Sequence, residues 1–296
     1  MSANKQKKMT ISILRACVSF ITIATPSTLK SASNPPPQFN PPKSYYLALG
    51  DSIYYGYQQP KVLAGLPPSA FDTGYVDDFE VRLRQIQPGI TTVNYGCPGE
   101  STASFINGPC PWSAAGQQLH NPFTGSQLEA AVSFLRSHPG EVSPITITPW
   151  AQDIQDFALN VCHFDLTCIQ KGAPGVIAQI STNLAFILGQ LRAVAPDAET
   201  IVTGAWDVIG FSDFAFADPL IEALNVSLAS AATAARAQFA NPFPVFNPQG
   251  DPKLETHTIC TLTQLCTVGD GHPSDAGYLA LANVVFAASG YARLTE

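Results

Sequence analysis

Charge is scarce in this 296-residue chain: 15 basic and 22 acidic side chains make up only 12% of it, about half the share usual in soluble domains. The basic residues form no stripe and the formal net charge is −7, which excludes a nucleic-acid backbone as a partner. No segment repeats at a fixed period. Beyond the N-terminal region no stretch is read as long and apolar enough to span a membrane. The seven cysteines include no pair with a two-to-four-residue spacer and a matching second half, the pattern that structural zinc requires.

Turn formers, by contrast, are plentiful, with 25 prolines and 21 glycines, as in loop-rich exported proteins. The N-terminus fits export. Lys5, Lys7 and Lys8 form a basic start and Ala16 to Ala24 an apolar core too short to cross a bilayer. Residues 1–33 are therefore read as a signal peptide, cleaved between Ala24 and Ser33, and the mature protein as secreted. Leu14-Arg15-Ala16-Cys17 loosely matches a lipid-anchor site, but Arg15 and the apolar run after Cys17 argue against it. Loss of Cys17 leaves six cysteines in three close pairs, Cys97 with Cys110, Cys162 with Cys168 and Cys260 with Cys266. Disulfides are expected there, with zinc as the competing reading. Nearest-neighbour pairing is preferred among the many connectivities that six cysteines allow.

Residues 34–43, NPPPQFNPPK, read as an extended proline-rich linker with no packing role, and residues 44–296 as the folded domain. Within it, strand-like runs fall at Tyr45 to Leu49, Thr91 to Tyr95, Pro144 to Thr148, Glu199 to Thr203 and, more weakly, Val245 to Asn247. Helical spacing occupies Ser126 to Ser137, Pro174 to Ala195, Pro219 to Phe239 and Asp275 to Ser289. Such alternation predicts βαβ units, hence a central parallel sheet with helices on both faces in a three-layer α/β/α domain.

The stretch Tyr45 to Gly56, YYLALGDSIYYG, places Ser52 just beyond the first strand's carboxyl end, where open parallel sheets bind ligands. Gly, Asp and Ser are also ordinary turn residues. A serine nucleophile needs a base and a group to orient that base. Of five histidines, His120, His138, His163 and His257 are read as solvated surface side chains. His272 stands apart in Gly269-Asp270-Gly271-His272-Pro273, where Asp270 can reach its ring. Turn chemistry ahead of a helix cap explains the same residues. His163 with Asp165 is too small a set for a metal site. Asn225-Val226-Ser227 is a glycosylation sequon inside a helix.

Three blocks in order resemble the SGNH hydrolases, or GDSL esterases and lipases: Ala48-Leu49-Gly50-Asp51-Ser52, Asn94 to Ser101 (NYGCPGES), and Asp270 to Tyr278 (DGHPSDAGY). The resemblance covers about Tyr45 to Tyr291. It implies a flavodoxin-like fold and a secreted, monomeric serine esterase or lipase acting on a small-molecule, lipid or glycan ester through an acyl-enzyme. No cofactor and no metal are implied. Ser52 takes the nucleophile's place, His272 the base's and Asp270 the acid's. Gly99 and the Ser52 N–H fall on the oxyanion hole, and Asp51 beside the substrate. Two departures stand out. Only Gly271 separates Asp270 from His272, where two residues are usual. The family's Gly-x-Asn-Asp reads Trp150-Ala151-Gln152-Asp153, so Gln152 falls on the oxyanion asparagine with one methylene more, and Trp150 either borders the substrate cleft or plugs the core. An alternative reading is a weakened member of the family that binds a glycan or surface ligand without turnover.

Overall fold

The structure is a computed structural model that describes residues 35–148, 150–208 and 217–295. The expected signal peptide, with Cys17 and its anchor-like context, lies outside the described residues. Residues 34–296 cluster as one compact unit.

The first strand, β1 (Tyr45–Gly50), is an unbroken apolar run, and Tyr46, Leu47, Ala48 and Leu49 are wholly buried. A strand apolar on both faces belongs at the centre of a parallel sheet. It pairs in parallel with β2 (Thr91–Asn94) on one side and β3 (Val142–Thr148) on the other. Beyond β3 lie β4 (Thr200–Thr203) and β5 (Gln238–Ala240), also parallel, giving the order β2-β1-β3-β4-β5. The chain reverses its direction of travel across the sheet between β1 and β3. The two strands stay paired to their last residues, Gly50 and Thr148, and the connections that leave them run to opposite sides, which marks the position where this topology binds ligands.

The flanking helices fall into two packed groups. The first comprises α2 (Tyr75–Ile86) and α9 (Asp275–Ser289), which pack against each other. Ser274 caps α9 by accepting the Gly277 N–H at 3.2 Å, and Tyr278, Leu281, Ala282 and Val285 form its buried stripe. Each large member stabilises by about 1.5–3 kcal/mol. The second group comprises α4 (Gln127–Ser137), α6 (Leu166–Val194) and α7 (Ala217–Ala234), with α6 packed between the other two. Short α1 (Ser52–Tyr55), α3 (Thr102–Asn107) and α5 (Ala151–Asp156) lie at the sheet's carboxyl edge, while α8 (Pro252–Leu262) leads to an antiparallel pair, β6 (Thr263–Gln264) and β7 (Asp270–Pro273).

Several expectations need correction. The fifth strand is Gln238–Ala240, not Val245 to Asn247, because Phe243–Phe246 forms a helical turn. The preceding helix ends at Ala234, and Arg236 at φ +57° turns the chain into the strand. Helix α6 starts at Leu166, eight residues before Pro174, because Asp165 caps it by accepting the Cys168 N–H at 2.7 Å. By length and composition alone α6 is long and apolar enough to cross a membrane, a weak sign that a packed core helix gives equally. Its Ile180, Leu184, Ile187, Leu188 and Leu191 are buried in this fold. The supposed linker packs on the domain: the Phe39 ring meets Tyr291 edge-on, and the Asn40 N–H donates to Glu199 at 2.9 Å.

Candidate active site

Ser52 owes its position to the end of β1. Gly50 lies at φ +155°, where a Cβ would come within 2.7 Å of the Thr148 carbonyl oxygen and 2.6 Å of the Tyr54 ring. Asp51 then caps α1, accepting the Ile53 N–H at 2.9 Å, and Ser52 becomes the helix's first residue. An N–H at that position has no acceptor inside the helix. Burial raises the Asp51 carboxyl to about 7, against the opposing pull of the Ile53 N–H and the nearby His272 charge. Tyr54 anchors the same helix to the sheet, with its hydroxyl 3.0 Å from Thr148 Oγ1 and 3.2 Å from Thr203 Oγ1.

The β6–β7 pair brings the far end of the chain to this serine. Asp270 opens β7, and its Oδ1 accepts from His272 Nδ1 at 2.6 Å and from the His272 N–H at 3.2 Å. A carboxylate on Nδ1 keeps the proton there and leaves Nε2 as an acceptor. The Ser52 hydroxyl donates to Nε2 across 2.8 Å. Burial pushes the Asp270 carboxyl up. The hydrogen bond and charge of His272, with the N–H groups of His272 and Gln59, outweigh it and hold the group below the usual carboxylate range. A single glycine between Asp270 and His272 therefore permits the full relay.

The loop after β2 turns through Pro98 and Gly99, and the Glu100 N–H closes onto the Cys97 carbonyl at 3.0 Å. Gly99 has φ +83°, as the third position of a type II turn requires. The Cys97 N–H bonds the Gly50 carbonyl at 2.9 Å, and a disulfide joins Cys97 to Cys110. The other bridges join Cys162 to Cys168 and Cys260 to Cys266, matching the nearest-neighbour expectation. Cys97, Cys110 and Glu100 sit close enough to hold a metal, but the disulfide leaves no thiolate to ligate one.

Helix α5 carries Gln152 and Asp153. Asp153 accepts the Thr102 N–H and hydroxyl, both at 2.7 Å, tying α5 to the start of α3. The Gln152 side-chain amide donates to Asp156 at 2.8 Å, leaving its second N–H free of that bond. Trp150 is buried and also borders open space. It is 6% exposed with its ring edge-on to Trp206, and it lines a cavity of about 560 Å³ together with Asp51, Ser52, Gln152, Asp270 and His272.

Sequence reasoning missed the clamp that follows α1. The Tyr57 ring lies 4.4 Å from the imidazole of His272, and the Gln59 N–H donates to Asp270 Oδ2 at 3.2 Å. Gln58 reaches Asp275 at 2.7 Å. The only sequence signal was position, directly after the Gly-Asp-Ser block. His120 and His138 are part-buried and partnered rather than freely solvated, contrary to expectation: His120 bonds the Tyr55 carbonyl at 3.0 Å and lies 3.2 Å from Asp72, and His138 packs on Tyr45 and Phe134. The sequon asparagine, Asn225, is buried with its amide paired to the Ala205 backbone on both sides.

Three solved structures illustrate the fold. A lipase from a goat rumen metagenome superposes with a TM-score of 0.56 at 17% identity, over 84% of this chain and 99% of its own. An α/β hydrolase enzyme from the metagenome of Lake Arreo, Spain, gives 0.56 at 17%, over 86% and 98%. An acetyl xylan esterase from Geobacillus stearothermophilus, solved as a point mutant, gives 0.53 at 18%, over 84% and 96%. No curated protein shows significant similarity to the chain. The GDSL-like Lipase/Acylhydrolase family matches residues 48–280. With that match spanning most of its length, the chain belongs to the GDSL-like Lipase/Acylhydrolase family and is a carboxylic ester hydrolase.

Proposed function

We propose that this protein is a secreted serine esterase that works through an acyl-enzyme. The observation carrying this reading is the unbroken relay from Ser52 Oγ to His272 Nε2 at 2.8 Å and from Nδ1 to Asp270 at 2.6 Å.

In this mechanism Ser52 Oγ attacks the ester carbonyl carbon as its proton passes to His272 Nε2. Asp270, held ionised by its partners, stabilises the imidazolium. The carbonyl oxygen gains the negative charge and is met by the N–H groups of Ser52 and Gly99 and by the Gln152 amide. Collapse of the tetrahedral adduct breaks the bond to the leaving alcohol, which takes the proton from His272. Water, deprotonated by the same imidazole, then attacks the acyl-serine and releases the carboxylic acid and free Ser52. Three disulfide bridges in the described chain support an oxidising compartment, and secretion is proposed on that ground with the N-terminal reading.

The test is hydrolysis of p-nitrophenyl esters together with labelling by a fluorophosphonate. Wild type should hydrolyse and label on Ser52, and Ser52→Ala should do neither. Hydrolysis that survives Ser52→Ala, or labelling at another serine, would overturn the assignment.

A further inference from the structure

The cavity beside Ser52 is far larger than an acetyl group needs, and its walls are unlike those of a sugar site. Apart from Asp51, Ser52, Asp270 and His272, its polar side chains among the described residues are Gln152, Gln155, Asp207 and the indoles of Trp150 and Trp206. Both indole N–H groups are sealed from solvent. Among the described residues no lysine or arginine lines the cavity. The remaining surface given by the described residues is aliphatic and aromatic. Ile154 and Phe157 come from α5 and the π-helical turn after it, Ala173 and Ile177 from α6, and Leu220 and Ile221 from α7. Sugar hydroxyls entering this space would lose water and find few partners.

We infer that this cavity is the acyl site and that it selects esters of medium to long fatty acids over acetate. The inference rests on the assignment of Ser52 above, since an acyl chain bonded to that oxygen enters the space that Ser52 opens into. At about 30 Å³ for a methylene-sized group, the share a water molecule takes, a ten-carbon chain fills roughly half of the 560 Å³. Each buried methylene contributes about fourfold to binding, so selection over acetate accumulates steeply with length.

The mouth of the cavity carries a second, independent sign. The loop closed by Cys162–Cys168 holds His163 at φ +49° and Phe164 at φ +61°, a backbone region that bulky side chains rarely enter. The Phe164 N–H on the Ala158 carbonyl at 2.9 Å and the Asp165 N–H on the Cys162 carbonyl at 2.7 Å keep it there. The outcome is a phenyl ring that lines the cavity and is yet 63% exposed. This exposed ring carries the apolar lining outward and receives the distal carbons of a chain longer than the cavity.

The experiment compares kcat/KM for p-nitrophenyl acetate, butyrate, octanoate and decanoate in wild type, Ala173→Leu and Ala173→Phe. Thermal unfolding and Ser52 labelling by a small fluorophosphonate check each variant's fold. Wild type should favour decanoate over acetate by at least about tenfold, given the per-methylene gain. Ala173→Leu should shift the optimum to shorter acyl chains, and Ala173→Phe should lower the decanoate-to-acetate ratio by roughly tenfold or more. Calorimetric titration of Ser52→Ala with sodium decanoate reads the site without turnover, and Ala173→Phe in that background should weaken it. A preference for acetate, a ratio unmoved by either Ala173 variant, or no decanoate binding to Ser52→Ala overturns the acyl site. Decanoate binding without hydrolysis of any ester would support the acyl site and overturn the role of Ser52.

Discussion

The backbone N–H of Gln59 donates to Asp270 Oδ2 at 3.2 Å, so the carboxylate that orients His272 is itself held by the segment leaving the helix of Ser52. Two neighbours lock the same joint. The Tyr278 hydroxyl donates to the Tyr57 carbonyl at 2.8 Å, and the Tyr57 ring lies against the imidazole. Ser52 and His272 lie 220 residues apart in the chain, and Tyr57 to Gln59 convert that separation into a fixed geometry.

Tyr57 is thus expected to act by position and not through its hydroxyl. Tyr57→Ala should lower kcat by roughly tenfold, because small misalignments of a base are costly, while Tyr57→Phe retains the ring and should stay close to wild type. Steady-state kinetics on one p-nitrophenyl ester separates the two. Equal losses in both variants would assign the hydroxyl a role that the ring packing does not predict.

Gln152 offers a sharper case. From sequence alone, shortening it to asparagine restores the family's residue and is expected to raise turnover. The bond to Asp156 at 2.8 Å reverses that expectation, because an asparagine is one methylene short of this tether. Gln152→Asn and Asp156→Ala should both lower kcat several-fold. Gln152→Ala should lose more, up to the roughly 100- to 1,000-fold seen when an oxyanion donor is removed. A gain in kcat for Gln152→Asn would mean that the tether holds the amide out of position.

The parts legible in the sequence were those carried by side-chain type and period. Strand β1 announced itself by a continuous apolar run, β3 by its alternating isoleucines and threonines, α9 by its stripe and cap, and Ser52 with Asp270 and His272 by their blocks. What escaped was carried by the backbone or by tertiary context. Strand β5 is three residues long, too short to show a period. Pro174 looked like a helix start, although α6 accommodates it in its interior. Gln59 contributes an N–H that any residue but proline would supply, so no residue type marks it. His120 pairs with Asp72, a partner that only the folded chain brings near.

The disulfides divide by what they brace. Cys97–Cys110 closes a loop of 13 residues' separation, for which chain entropy gives about 3 kcal/mol. Cys162–Cys168, with a separation of 6, gives about 2 kcal/mol on the same basis. The double variant Cys97→Ala/Cys110→Ala should therefore lower Tm by about 6–12 °C. It should also slow turnover below the transition, since Cys97 anchors the Pro98–Gly99 turn. Calorimetry and kinetics at 20–25 °C (about room temperature) test both, and a lowered Tm with full kcat would confine the bridge to stability.

Glu199 makes the fold sensitive to pH from the side opposite to acid denaturation. It is wholly buried beneath the N-terminal strap, and burial drives its carboxyl up to about 8, against the pull of the Asn40 N–H, Tyr291 and Arg293. In the unfolded chain the same group releases its proton near ~4.3. Between those values the folded state keeps a proton that the unfolded state has lost, so this group's contribution to stability falls as pH rises from about 4 to 8 and is level above. Asp51 and Glu100, each raised by burial to about 7, act with the same sign, whereas Asp270, held low, opposes them only below about pH 4. Glu199→Gln keeps an acceptor for the Asn40 N–H and removes the titration. Relative to wild type it should gain on the order of a few kcal/mol between pH 5 and pH 8, read as a flatter dependence of Tm on pH. A variant whose Tm declines with pH as steeply as wild type would show that Glu199 is ionised in the folded protein throughout that range.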